Sequence, residues 1–220
     1  MRTHNRAFAA WVGTWTGSFI ASAALLGCLA SGAQAALLLP PGGSNPTTGG
    51  GTYGVAKVYD SGPVPFVSLS SVFNGLLESQ VWQEAGGTLD FVYQFSNNAN
   101  SGDVIKRFTV TDFEGFTTYA DDTPIGGGSA FPTTVDRSGL GDVIGFNFAA
   151  PVAPGALTYQ MVINTNATAF NPIGGTASWI DGDVAFTAVP TPIPEPASGA
   201  VASIALSALA LRPRKTPRQS

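Results

Sequence analysis

The middle of the chain alternates apolar and polar side chains with a period of two residues. The clearest run occupies positions 89–96, where four large apolar side chains alternate with smaller or polar ones, and similar runs lie at 144–148 and 157–163. Because successive side chains of a strand point to opposite faces, each run predicts a β-strand with one buried face. Further strand candidates lie at 53–60, 64–72, 79–84, 104–112, 115–120 and 183–189.

Turn-forming residues separate these predicted strands. Clusters of Gly, Asn, Asp and Pro occur, for example, at 60–63 and 126–128. Short strands at regular spacing with such turns are typical of an all-β, antiparallel two-sheet β-sandwich, here jelly-roll-like, over residues 53–189. The one helix-like segment, Ser71 to Gln80, predicts one or two helical turns at most.

The residues before the sandwich differ in composition. Positions 40–52 contain only Pro, Gly, Ser, Asn and Thr, with three consecutive glycines at 49–51. Such a composition cannot bury an apolar face, so residues 36–52 are predicted to be a flexible leader.

The N-terminus predicts a signal peptide over residues 1–35. Two arginines precede an apolar run from Ala7 to Gly27, and Ala33 and Ala35 supply the small residues that a signal peptidase requires. We expect cleavage after Ala35. The alternative is a lipoprotein: Leu25-Leu26-Gly27-Cys28 resembles a lipoprotein box, with Cys28 as the lipidated residue.

The C-terminus has three consecutive parts. Four prolines between positions 190 and 196 predict an extended, accessible segment. Residues 197–211 carry no charge and would form a helix about 22 Å long, shorter than the hydrocarbon core of about 30 Å. The cations that follow favour a short membrane span with its C-terminus in the cytoplasm rather than a domain-terminal helix. These cations are Arg212, Arg214, Lys215 and Arg218.

The same residues resemble a known family of sorting signals. Pro194-Glu195-Pro196-Ala197-Ser198, the apolar run and the basic tail resemble the PEP-CTERM signal of Gram-negative, polysaccharide-producing bacteria. The resemblance implies recognition by an exosortase, processing near Pro194, Glu195 and Pro196, and transfer to the cell surface or extracellular matrix. It covers residues 190–220, in which the span is short and Pro213 and Pro217 interrupt the basic cluster.

Composition then excludes several chemistries. The only His (His4) and the only Cys (Cys28) precede Ala36, so residues 36–194 contain neither. Disulfides, Cys or His zinc sites, and Ser–His or Cys–His catalysis are therefore excluded there. Four cations against thirteen carboxylates give this segment a net charge of about −9, which disfavours nucleic acid as a partner.

Three groups of residues are candidates for chemistry. Asp136 and Asp142 flank a glycine-containing loop that could hold Ca²⁺, although ordinary turn chemistry is the preferred interpretation and we expect no cofactor. The carboxylate pairs Asp121-Asp122 and Asp181/Asp183 could ligate a cation or act in glycoside hydrolysis, but solvated loops are preferred. Trp82 and Trp179 could stack on sugars or lie in the core.

Three functions follow from these observations. The favoured one is a non-catalytic surface or matrix protein that is exported by the general secretory route and cleaved by signal peptidase. It would then be held transiently in the inner membrane and processed by an exosortase. It would associate with exopolysaccharide or biofilm. The alternatives are a carbohydrate-binding β-sandwich module and, more remotely, a glycoside hydrolase that uses carboxylates alone.

Overall fold

A computed structural model describes residues 37–194 and shows them to be all-β. The signal-peptide residues Ala33 and Ala35, Cys28, the helix predicted at 197–211 and the basic tail lie outside the described residues. No helix long and apolar enough to cross a membrane occurs within 37–194.

Twelve strands make up this region. They are β1 Ser44–Pro46, β2 Ala56–Asp60, β3 Val64–Val67, β4 Asn74–Gln83, β5 Leu89–Asn97, β6 Ile105–Val110, β7 Thr118–Thr123, β8 Thr134–Arg137, β9 Ile144–Val152, β10 Gln160–Thr165, β11 Phe170–Ile180 and β12 Val184–Pro192.

The strands form two antiparallel sheets. The first has the order β1-β8-β9-β6-β11-β12, and the second has the order β2-β4-β5-β10-β7, with β3 following β2 along the same edge of β4. All pairings among the twelve strands are antiparallel, so the all-β, two-sheet prediction is confirmed, and the arrangement is consistent with a β-sandwich.

The core lies between the sheets and is rich in aromatic rings. Phe91, Tyr93 and Phe95 of β5 are fully buried, as the alternation at 89–96 predicts. The ring of Phe66 from the second sheet stacks on that of Trp179 from the first, with centroids 3.7 Å apart and planes 10° from parallel. This contact joins the two sheets directly.

Two predictions about secondary structure are wrong. The segment Ser71 to Gln80 is not helical; it leads into β4, which pairs with β3 and β5 along its length. Tertiary pairing here overrides local preference. The longest strand, β11, was missed because Pro172, Gly174 and Gly175 signal a turn, whereas the structure accommodates them in a bulge between Asn171 and Gly175.

The prediction that residues 36–52 form a flexible leader is also wrong for residues 37–52, the part that the structure describes. Residues 44–46 form β1, an edge strand paired with β8. Leu39 is fully buried in the core, and its N–H donates to Thr118 O at 2.9 Å. Residues 47–54 follow β1 and are held by buried carboxylates. We call this segment the strap.

The predicted boundary between domain and sorting signal, at 189/190, lies three residues too early. Strand β12 continues to Pro192, where it pairs with Phe170. Residues 190–192 are buried rather than accessible, and the buried Tyr93 hydroxyl donates to Pro190 O at 2.7 Å. Only Ile193 and Pro194 of the described residues follow the fold, and both are exposed.

Candidate functional site

One cleft of about 340 Å³ combines an exposed aromatic ring with polar side chains. The strap forms one wall through Thr47, Thr48 and Gly49, and the loop before β8 forms the other through residues 131–133. Asp122 and Tyr159 complete the lining. We call this the aromatic cleft.

The ring of Phe131 is the most exposed part of the aromatic cleft. It is 50% exposed, and its centroid lies 5.6 Å from that of Tyr159, with the ring planes inclined by 37°. The Tyr159 N–H donates to Ala130 O at 2.7 Å, which fixes the loop beside β10. This close approach requires Gly128 (φ +106°), because a Cβ there would lie 2.3 Å from Thr158 O.

The strap and the loop are joined at one end of the cleft. The Thr47 hydroxyl donates to Pro132 O at 2.5 Å, and the Thr47 N–H donates to Thr133 O at 3.2 Å. Both acceptors are backbone carbonyl oxygens of the loop, so the two walls are held together through the backbone of the loop.

A pair of buried carboxylates holds the strap from below. Asp121 accepts hydrogen bonds from the Thr48 N–H (2.7 Å) and the Thr48 hydroxyl (2.5 Å). Asp122 accepts one from the Gly49 N–H at 2.8 Å. Both lie within strand β7 and are buried, so the prediction that Asp121-Asp122 form a solvated loop is wrong. Alternation alone gave no sign that residues 47–49 would cover them.

The electrostatics of Asp121 and Asp122 favour a structural role, in which the two carboxyl groups hold the strap in place. Burial, reinforced by the neighbouring Asp121, raises the pKa of Asp122 to about 6. The Asp122 N–H also donates to Asp121 Oδ1 at 2.8 Å, and donors of the strap engage both carboxyl groups, whereas glycoside hydrolysis uses two carboxyl groups about 5–10 Å apart on either side of the sugar. Their bonds to the strap give them a structural role in positioning one wall of the cleft.

A second buried carboxylate holds the far end of the strap. Asp90 accepts the Gly54 N–H at 2.8 Å, and burial, with the neighbouring Glu84, raises its pKa to about 7. Gly54 passes so close to β4 that a Cβ would lie 2.3 Å from Gln83 O. Three carboxylates therefore hold one short segment against the second sheet.

The two tryptophans singled out from the sequence lie in different settings. Trp179 is fully buried, so of its two alternatives, sugar stacking and the core, the core is correct. Trp82 is half-buried, with the Tyr53 ring at 4.8 Å and Lys57 Nζ at 5.6 Å from its own ring centroid. Its Nε1–H donates to Gln80 at 2.9 Å.

The calcium candidates are occupied by protein groups. Asp136 accepts two hydrogen bonds from Arg107, at 2.6 and 2.7 Å, and one from Asn147 at 2.6 Å; the Arg107 bond lowers its pKa. Asp142 accepts the Asp112 N–H at 2.9 Å. Within 37–194, no group of three or more His, Cys, Asp or Glu side chains is arranged to hold a metal.

Asp181 and Asp183 form the other acidic pair that is predicted to be solvated, and this prediction is only partly right. Asp181 pairs with Lys106 at 2.5 Å, and its side chain is largely buried. Asp183 accepts the Ser70 N–H at 2.8 Å in an exposed setting.

Of the predicted sorting motif, only the first residue, Pro194, is among the described residues. Pro194 lies beside Glu114 in a cleft next to the end of β12, whereas Glu195 and Pro196 lie outside the described residues.

Sequence reasoning missed the most exposed ring of the cleft. Phe131 belongs to no alternating run, and its only signal is a large aromatic residue between a glycine cluster and a proline. Tyr159 was placed in the core by alternation, yet it is half-buried and lines the cleft. Comparisons of the chain with family models, curated proteins and solved structures found no match.

Proposed function

We propose that this chain is a non-catalytic protein of the cell surface or extracellular matrix of a Gram-negative bacterium. It is exported by the general secretory route and cleaved by signal peptidase after Ala35. It is then held in the inner membrane by residues 197–211 and processed by an exosortase near Glu195. Its task is association with exopolysaccharide or biofilm, and it needs no cofactor.

The observation that supports this proposal is the position of the fold between the two predicted signals. Leu39, four residues after Ala35, is already part of the core, and β12 ends at Pro192, two residues before Pro194. A fold that fills the interval between two cleavage sites is the arrangement expected of a mature, released domain. The jelly-roll-like connectivity belongs to this proposal and is supported by repeated crossings between the sheets from β5 to β11.

The experiment that tests the proposal is intact-mass analysis and fractionation of the protein from an exosortase-containing host and from the same host without exosortase. We expect a product that begins at Ala36, ends near Pro194 and accumulates in the matrix only when exosortase is present. If Cys28 is lipidated instead, the product begins at Cys28 rather than at Ala36. The expected end near Pro194 and the dependence on exosortase stay the same.

A matched pair of variants tests the motif itself. Glu195→Ala should leave the full-length C-terminus in the membrane, whereas Glu78→Ala changes a glutamate of β4 that does not line the clefts beside Pro194 and should be processed normally. An unprocessed C-terminus in both hosts would make the tail a simple anchor and would contradict the proposal.

A carbohydrate-binding module is a second candidate and is compatible with the first. The half-exposed Phe131 ring, paired with Tyr159 beside hydroxyl and carboxylate groups, favours it. A hydrolase that uses carboxylates alone finds less support, because the closest carboxylate pair is engaged by the strap.

A further inference from the structure

The geometry points to a sugar-binding site in the aromatic cleft, where one neutral unit of a polysaccharide stacks on Phe131. This inference deepens the second candidate function and gives it a location and a ligand class. It does not depend on how the protein is exported or processed.

The apolar half of the site is the ring pair. A pyranose presents a face of C–H groups that packs on an aromatic ring, while its hydroxyls point outward. Phe131 leaves half of its surface in solvent although it is a large apolar side chain, and Tyr159 holds it at a fixed inclination. Trp82 is more crowded, with the Tyr53 ring centroid at 4.8 Å and Lys57 Nζ at 5.6 Å from its own ring centroid.

The polar half surrounds the rings. Thr48 and Thr133, whose side chains carry hydroxyls, line the cleft together with Asp122 and Gly49. Hydroxyl and carboxylate oxygens can accept hydrogen bonds from sugar hydroxyls, and a few polar groups beside an apolar surface are typical of small-ligand sites. At about 340 Å³ the cleft is at the small end of such sites, which fits a short stretch of glycan.

Charge selects a neutral ligand. No lysine or arginine is among the residues that line the cleft, and Asp122 is its only ionisable acid. Residues 36–194 as a whole carry a net charge of about −9. An anionic polysaccharide would find repulsion and no partner here, whereas a neutral glycan meets acceptors for its hydroxyls.

The position of the strap makes the site pre-formed. Asp121 and Asp122 fix Thr48 and Gly49, and Pro132 O fixes Thr47, before any ligand arrives. A wall that is already ordered costs less conformational entropy on binding than a mobile loop. Three of the lining residues, Thr47, Thr48 and Gly49, are thus held by contacts that are independent of the ligand.

Affinity electrophoresis of the full-length protein in a sugar-free non-ionic detergent tests the inference. The gels contain dextran, galactomannan or xyloglucan as neutral probes, and alginate as an anionic probe. We expect retardation by at least one neutral probe and none by alginate. Phe131→Ala should weaken the retardation by about tenfold or more, because truncation of a central aromatic contact removes most of its binding energy.

Phe186→Ala is the matched control. Phe186 is 54% exposed on β12 and does not line the cleft, so its truncation should leave retardation unchanged. Phe131→Leu keeps an apolar side chain without a ring; it should fold like the parent protein and still lose binding. This second variant separates loss of the stacking surface from loss of the fold.

Several outcomes would overturn the inference. These are no retardation by any neutral probe, retardation by alginate alone, or equal retardation of the parent, Phe131→Ala and Phe131→Leu proteins. A protein that reaches the matrix but fails this assay would refute the sugar site alone. A protein that binds a neutral glycan but is not processed at Glu195 would refute the sorting proposal alone.

Discussion

At the scale of single residues, Arg137 holds together parts of the chain that are distant in sequence. Its side chain is buried, and among the described residues it bonds only to neutral oxygen atoms. Its partners are Gly141 O (2.8 Å), Leu39 O (3.2 Å), Thr118 Oγ1 (2.8 Å), Phe113 O (2.6 Å) and Phe116 O (3.0 Å). Arg137 therefore ties the N-terminal segment to β7 and to the loop that precedes it.

We expect Arg137→Lys to lower the free energy of unfolding by about 3–5 kcal/mol. A lysine ammonium cannot satisfy five acceptors in the plane of a guanidinium, so buried carbonyls lose their donors. Denaturant unfolding measures the effect. Arg107→Lys is the control: Arg107 is less buried and pairs mainly with Asp136, so its replacement should cost about 1 kcal/mol or less. Equal losses in the two variants would contradict this role for Arg137.

The buried carboxylates under the strap predict how stability depends on pH. Burial raises the pKa of Asp90 to about 7 and that of Asp122 to about 6, against about 4 in an unfolded chain. The folded protein therefore retains protons that the unfolded chain releases, and the free energy of unfolding falls as the pH rises from about 4 to about 7. We expect a Tm about 2–8 °C higher at pH 5 than at pH 8, measured by thermal unfolding.

Replacement of the titrating groups tests the cause of this pH dependence. The double variant Asp90→Asn and Asp122→Asn should flatten the slope between pH 4 and pH 7. Asp136, whose pKa is lowered by Arg107, affects stability only at more acidic pH, because its contribution is lost as the pH falls through its folded-state value. Stability that rises from pH 5 to pH 8 in the parent protein would contradict the prediction.

At the scale of elements, the sequence predicts strands best where one face carries the large core side chains and the other carries smaller or polar ones, even where, as at Asp90 and Val92, the second face is also covered. The alternation at 89–96 and 144–148 matches β5 and β9, whose central residues point alternately into the core. The alternation at 157–163 begins before the first residue of β10. It predicts burial correctly for Met161 and Ile163 but not for Leu157, which is partly exposed. Burial on one face is what produces the pattern, so the pattern disappears where burial changes.

The elements that were missed lack that signal. β1 and β8 are short and lie at or next to a sheet edge, and β11 contains the residues that usually end strands. The aromatic cleft could not be predicted because it joins the strap, the loop before β8, Tyr159 just before β10 and Asp122 of β7, and no local period links residues so far apart. Periodicity describes neighbours along the chain, and a cleft is made of neighbours in space.

The end of β12 gives a prediction about truncation. A chain that ends at residue 189 lacks buried Thr191, the pairing of β12 with Phe170, and the acceptor of the Tyr93 hydroxyl. We expect its free energy of unfolding to be about 2–4 kcal/mol lower than that of a chain ending at residue 194. Denaturant unfolding of residues 36–189 and 36–194 makes the comparison. Equal stability would place the end of the domain before Pro190.

At the scale of the whole molecule, the two sheets are held together by aromatic rings that cross the interface. Phe66 stacks on Trp179, and Phe95 of the second sheet lies 6.0 Å from the same indole and 5.5 Å from Phe108 of the first sheet, between ring centroids. Without cysteines after residue 28, no disulfide joins the sheets. The layers are therefore joined by packing of the core, to which these rings contribute.

We expect Trp179→Ala to lower the free energy of unfolding by about 3–5 kcal/mol. Phe66→Ala should also destabilise the protein, and the double variant should cost about 0.5–1.5 kcal/mol less than the sum of the two, because the rings stack on each other. Denaturant unfolding of the four proteins gives the coupling energy. Strict additivity would show that the stack contributes nothing beyond the burial of each ring.

Because the fold ends at Pro192, little free chain separates the folded domain from the site of any enzyme that acts on Pro194, Glu195 and Pro196. An extended chain covers at most about 3.5 Å per residue, so Glu195 can lie no more than about 10 Å from the last residue of β12. An enzyme that cuts there must bring its catalytic groups almost into contact with a folded domain. The shape of the protein near Glu114 and Asn166, beside Pro194, therefore belongs to what such an enzyme has to accommodate.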